Sequence, residues 1–90
     1  MAQLMTPGEP MRYVLPANGR TFTLTELQTF VGGYIEYVRL ASGHVLVINE
    51  EGKLLRLALN PEATVLAAPR IAPDVIVGPA LLCSSVEAGS

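Results

Sequence analysis

Ninety residues allow one domain and no second. Half are hydrophobic and only 16% are charged, with a mean hydropathy of +0.40, which excludes a wholly disordered chain, since disorder goes with low hydrophobicity and high net charge. The net charge of −2 comes from six basic and eight acidic residues, and the basic ones (Arg12, Arg20, Arg39, Lys53, Arg56, Arg70) stand singly, so nucleic-acid binding, which rests on basic clusters, is not expected.

One cysteine, Cys83, leaves no internal disulfide and no cysteine-rich metal site. No apolar run approaches the ~18 residues of a membrane span. The opening Met1-Ala2-Gln3-Leu4-Met5-Thr6-Pro7 lacks the charged start and apolar stretch of a signal peptide. A reducing, cytoplasmic location is the default expectation.

Residues 1–10 hold Pro7, Gly8 and Pro10 without periodicity and read as a flexible lead-in, with the domain spanning 11–84. Residues 12–15 form a short strand stopped by Pro16, and Asn18-Gly19 is a turn signal. Thr23-Leu24-Thr25-Glu26 matches a capping box, with Phe22 and Leu27 at the spacing of a hydrophobic staple. Leu24, Leu27, Phe30 and Val31 then share one helical face, and Gly32-Gly33 supplies the left-handed cap, so a helix is predicted over 24–31.

Segments 34–40 and 44–50 are rich in β-branched and aromatic residues and flank Ala41-Ser42-Gly43, which predicts a hairpin. Glu51-Gly52 marks a turn, and residues 53–57 fit a strand or a helix equally. Asn60-Pro61-Glu62 is a helix start, with Asn as N-cap and Pro at the first helical position. Pro69 is expected to keep that helix short. Residues 74–83 read as a last strand with a bulge or edge at Gly78-Pro79, and 85–90 as a flexible polar tail. The fold class is therefore α+β: a small, mostly antiparallel sheet with two short helices in the order βαββαβ, the element order of a ferredoxin-like split βαβ unit.

At Tyr13-Val14-Leu15-Pro16-Ala17-Asn18-Gly19, Gly33-Tyr34-Ile35-Glu36, Val47-Ile48-Asn49-Glu50-Glu51-Gly52-Lys53-Leu54, Asn60-Pro61 and Asp74-Val75-Ile76-Val77-Gly78, the chain resembles a family of short bacterial, phage and mobile-element proteins known as a domain of unknown function. The resemblance covers roughly residues 12–82. It implies a phage or mobile-element setting and carries over no catalytic residue.

Few residues can carry chemistry. His44, the sole histidine, lies at a hairpin end without a partner motif, and Cys83 lies in an apolar strand and behaves as a small hydrophobe. Tyr13, Tyr34 and Tyr37 have the spacing of cross-strand packing. Gly32-Gly33 follows a helix and does not precede one, so it cradles no phosphate. Asn49-Glu50-Glu51 is the densest polar cluster, able to meet a cation or the donors of a small ligand, although it also suits the solvated end of a strand. Asn60 opens a helix whose amino end attracts anions. Asn49, Glu50, Glu51 and Asn60 are thus the candidate binding residues. None stands out as catalytic or metal-ligating, and no cofactor is expected.

In segment 44–50, Val45 and Val47 face one side while Leu46 and Ile48 face the other, and Val75, Ile76 and Val77 repeat the pattern. A sheet covered on one face should alternate apolar and polar. Two short helices are expected to cover one face, leaving an apolar face for the tails, a second copy of the chain or a partner. The expected function is a non-enzymatic interaction module, a homodimer that binds a host protein or a small ligand. The alternative is a small enzyme whose carboxylates, such as Glu36, Glu50 and Glu51, assemble at a dimer interface.

Overall fold

The computed structural model describes residues 1–89. Along them run β1 (Ala2–Met5), β2 (Arg12–Val14), α1 (Leu24–Val31), β3 (Ile35–Arg39), β4 (Val45–Asn49), α2 (Pro61–Ile71), β5 (Ala80–Cys83) and α3 (Ser85–Ala88). The strands form one sheet of order β2-β1-β5-β4-β3 in which every neighbouring pair is antiparallel. The α+β class is as expected from the sequence. The ferredoxin-like wiring is not present: a split βαβ unit joins parallel strands through its helix, whereas α2 joins β4 and β5, which are antiparallel neighbours.

The capping box forms as the sequence dictates. The Thr23 hydroxyl accepts from the Glu26 amide at 3.1 Å, and the Glu26 carboxylate accepts from the Thr23 amide at 2.8 Å. Its second oxygen accepts from the Ala17 amide at 3.0 Å, which pins the preceding loop to the helix start. Gly32 closes α1 in the left-handed conformation, at φ 81°, and donates back to Gln28.

The expected lead-in is a strand instead. β1 lies between β2 and β5, with Ala2, Leu4 and Met5 buried, because both of its edges find ladder partners. The expected tail is likewise folded. Ser84 and Glu87 form a second capping box that starts α3, the Phe22 amide donates to Glu87 O, and the Tyr37 hydroxyl donates to Ala88 O at 2.8 Å. Ser90 lies outside the described residues.

Two further expectations are corrected. α2 runs through Pro69 to Ile71. The missing Pro69 amide would have met the carbonyl of Val65, which lies on the exposed side of the helix, so no buried acceptor is left unpaired. The last strand is confined to Ala80–Cys83, and the stretch before it pairs with the loop ahead of α2 by one antiparallel bridge, Leu59 to Val77. The left-handed Gly78, at φ 80°, separates the two parts.

The two-sided apolar pattern has a simple explanation: a helix layer covers each face. On one side α1 and α3 enclose Ala2, Leu4, Val45, Val47, Leu81 and Cys83 together with Phe22, Leu27 and Val31. On the other, Ala63 and Ala67 of α2, with Ile76, pack on Met5, Leu46 and Ala80. The two alanines are the buried positions of α2. The uncovered face on which the homodimer expectation rested is therefore not there, and that argument for self-association falls with it.

Candidate binding loop and cleft

Ten residues separate the two buried asparagines that close β4 and open α2, and both are anchors. Asn49, 4% exposed, donates from its side-chain amide to Val31 O at 3.1 Å and accepts from the Glu51 amide at 2.8 Å. It ties the end of α1 to the end of β4. Asn60, 2% exposed, accepts from the Ala63 amide at 3.1 Å as an N-cap, and donates to Met5 O and Gly78 O, each at 2.9 Å. All of these side-chain atoms are satisfied within the chain, so neither asparagine offers a free group to a ligand.

Between the anchors the 50–59 loop folds on itself. The Gly52 amide donates to Asn49 O, Leu55 to Glu51 O, Arg56 to Lys53 O and Leu57 to Gly52 O. Gly52 has to be glycine: a Cβ there would lie 2.9 Å from Val77 Cγ2 and 3.3 Å from Val77 O. Arg56 holds φ at 55°, the one non-glycine residue with positive φ among the described residues. The consequence of this bonding is outward display. Leu54 is 81% exposed and Leu55 55% exposed, although both lie within this bonded loop.

Two depressions flank the loop. A cleft of about 270 Å³ is lined by aliphatic Val38, Ile48, Ile71 and Ile76 and by charged Glu36, Glu50, Lys53 and Asp74. Lys53 forms an ion pair with Asp74, and its ammonium, with the Val75 amide, holds the Asp74 carboxyl below the ordinary carboxylate value. On the opposite side Leu55, Tyr34 and Glu51 line a shallow hollow beside the carboxyl end of α1.

The four residues singled out from the sequence thus divide three ways. Asn49 and Asn60 are buried supports, Glu50 lines the cleft, and Glu51 lines the hollow. Of the carboxylates in the enzyme alternative, Glu36 and Glu50 share the cleft and Glu51 does not. Among the described residues no group of three His, Cys, Asp or Glu side chains is placed to hold a metal ion. Leu54 and Leu55 were missed, because Lys53-Leu54-Leu55-Arg56-Leu57 fits a strand or a helix as well as a loop. The signal that could have found them is Gly52, which breaks both periodicities just ahead of them.

The remaining reactive groups are quiet. Cys83 is buried, and burial, helped by the Glu87 charge, pushes its thiol up to about 12, so it stays protonated at neutral pH. His44 Nδ1 lies 3.1 Å from Ser42 Oγ in the exposed β3–β4 turn, and among the described residues no hydrogen bond links it to Cys83. No helix of the described residues is long and apolar enough to cross a membrane.

The family described as a domain of unknown function (DUF3846) matches residues 3–90. The chain belongs to that family. No curated protein and no solved structure matches it. The DUF3846 match begins inside β1 and runs beyond α3, so the family's domain takes in both segments that composition alone marks as lead-in and tail.

Proposed function

We propose that this DUF3846 domain is a non-enzymatic interaction module that grips a protein partner through its 50–59 loop. The observation that carries the reading is the loop itself: Leu54 and Leu55 are held out into solvent by a base with buried anchors at both ends. Fully burying a leucine stabilises by about 1.5–3 kcal/mol relative to leaving it exposed, so the pair brings a substantial share of a binding energy. A preformed loop loses little conformational freedom on docking, which keeps that gain from being offset by ordering. Binding residues concentrate on loops carried by a fixed scaffold for the same reason. The phage or mobile-element setting implied by the family resemblance makes the partner a host protein.

The test is site-specific photocrosslinking in host cells, with a benzophenone amino acid placed at 54, at 55 and, as a control, at Glu62 on the exposed face of α2. One discrete adduct from 54 and 55, lost from 62, supports the loop as the contact. Equal adducts from all three positions, or none from the loop, overturn it.

A further inference from the structure

We infer that the cleft beside the loop is a receptor for one basic side chain, an arginine or lysine, of the protein partner, an assignment that rests on the loop reading above. The size sets the scale of the occupant first. At about 270 Å³ the cleft stands at the lower end of the roughly 300–1,000 Å³ of pockets that enclose a drug-sized molecule, which suits a small occupant.

Its chemistry then decides which side chain. Val38, Ile48, Ile71 and Ile76 offer aliphatic contact of the kind that the methylene stem of arginine or lysine covers while its charged head stays near water. The head would meet carboxylates. Asp74 is neutralised by Lys53, but Glu36 and Glu50 make no ion pair among the described residues, which leaves two unmatched negative charges on the lining. An aliphatic slot with that charge is complementary to an alkyl cation and repels an acidic or phosphorylated segment.

Position favours a side chain over a free amine. The cleft shares Leu54 with the loop, and Glu50 and Lys53 are loop residues too, so a partner that covers Leu54 borders the cleft. Leu54 then marks the apolar centre of the contact and the cleft its charged border, as in interfaces with a hydrophobic core and a polar rim.

The experiment needs no partner protein, so its failure is distinct from failure of the crosslinking. The intact chain is titrated by amide NMR with Nα-acetyl-arginine N-methylamide, and in parallel with the neutral citrulline analogue and with agmatine. Expected are saturable shifts at Glu36, Ile48, Glu50 and Ile76 with arginine, and about fivefold weaker binding of citrulline, the scale of two solvent-facing ion pairs. The variant Glu36→Gln with Glu50→Gln should bring arginine down to the citrulline level while its spectrum elsewhere stays unchanged. Equal binding of citrulline, arginine binding that survives the double variant, or shifts spread over the whole surface overturn the assignment. Agmatine binding more tightly than blocked arginine overturns the choice of a protein side chain and assigns the cleft to a free amine.

Discussion

The Asn60 side-chain amide donates to the Met5 carbonyl oxygen at 2.9 Å, across 55 positions of sequence. The same amide reaches Gly78 O, and its oxygen caps α2, so one side chain joins β1, the approach to β5 and the end of the loop. Asn60→Ala should therefore cost about 2–4 kcal/mol, a helix cap plus two buried carbonyls left unpaired. Deleting residues 1–5 should unfold the chain outright, since β5 loses a ladder partner and the core loses Ala2, Leu4 and Met5. Urea denaturation decides both, and an unchanged midpoint for either sinks the account.

How legible these features were in the sequence follows from the range of the interactions that make them. α1 was readable because its start and stop are local: Thr23, Glu26 and Gly32 satisfy each other's backbone within a few residues. β1 was not, because Ala2-Gln3-Leu4-Met5 contains no β-branched residue and becomes a strand only by pairing with β2 and with β5, far along the chain. α3 was not legible although Ser84 and Glu87 carry the same spacing as Thr23 and Glu26, because a single four-residue turn closed by Gly89 is too short to show a helical period. The candidate site was half legible. Asn49 and Asn60 were singled out for binding, whereas both are buried supports of the loop that carries Leu54 and Leu55, which local patterning could not place.

Glu26 gives a pH test. The Thr23 amide and then the Ala17 amide hold its carboxyl below the ordinary value of 4.5. A carboxylate whose folded pKa is depressed stabilises the fold above its unfolded value, and that contribution is lost as pH falls through the folded value. Glu26→Gln should thus be less stable than the parent at neutral pH, with the difference shrinking as pH drops below 4.5. Thr23→Ala should cost about 1 kcal/mol at neutral pH through the lost cap. Urea midpoints measured from neutral to acid pH test the pair, and a difference for Glu26→Gln that grows on acidification contradicts the sign.

Cys83 should report global opening. Its thiol is buried in the α1-side core and held up to about 12, so the native protein presents almost no thiolate at neutral pH. Labelling by a disulfide reagent should be slow without denaturant and accelerate in step with the unfolded population across the urea transition. Rapid labelling of the native protein would place the thiol in contact with solvent and break the assignment of β5 to the interior.

The helix layer on each face of the sheet makes the sharpest prediction, because it reverses what a one-sided sheet would give. Val47 points toward α1 and Leu46 toward α2, and neither has exposed surface. If one face were bare, an aspartate on that side would leave a folded chain, and only its neighbour would be lethal to the fold. With both faces covered, Leu46→Asp and Val47→Asp each bury a carboxylate that no described cation faces. An uncompensated buried charge costs on the order of 3–5 kcal/mol. The lost aliphatic packing adds about 2 kcal/mol or more, against a total stability of about 5–15 kcal/mol for a domain. Both variants should be largely unfolded at room temperature, whereas Glu36→Asp, at an exposed position of β3, should melt like the parent. Circular dichroism melts and amide spectra of the three proteins settle it: a dispersed native spectrum for either core variant means that its face is open, and the α2 layer, which meets the sheet through Ala63 and Ala67, is where that result would first point.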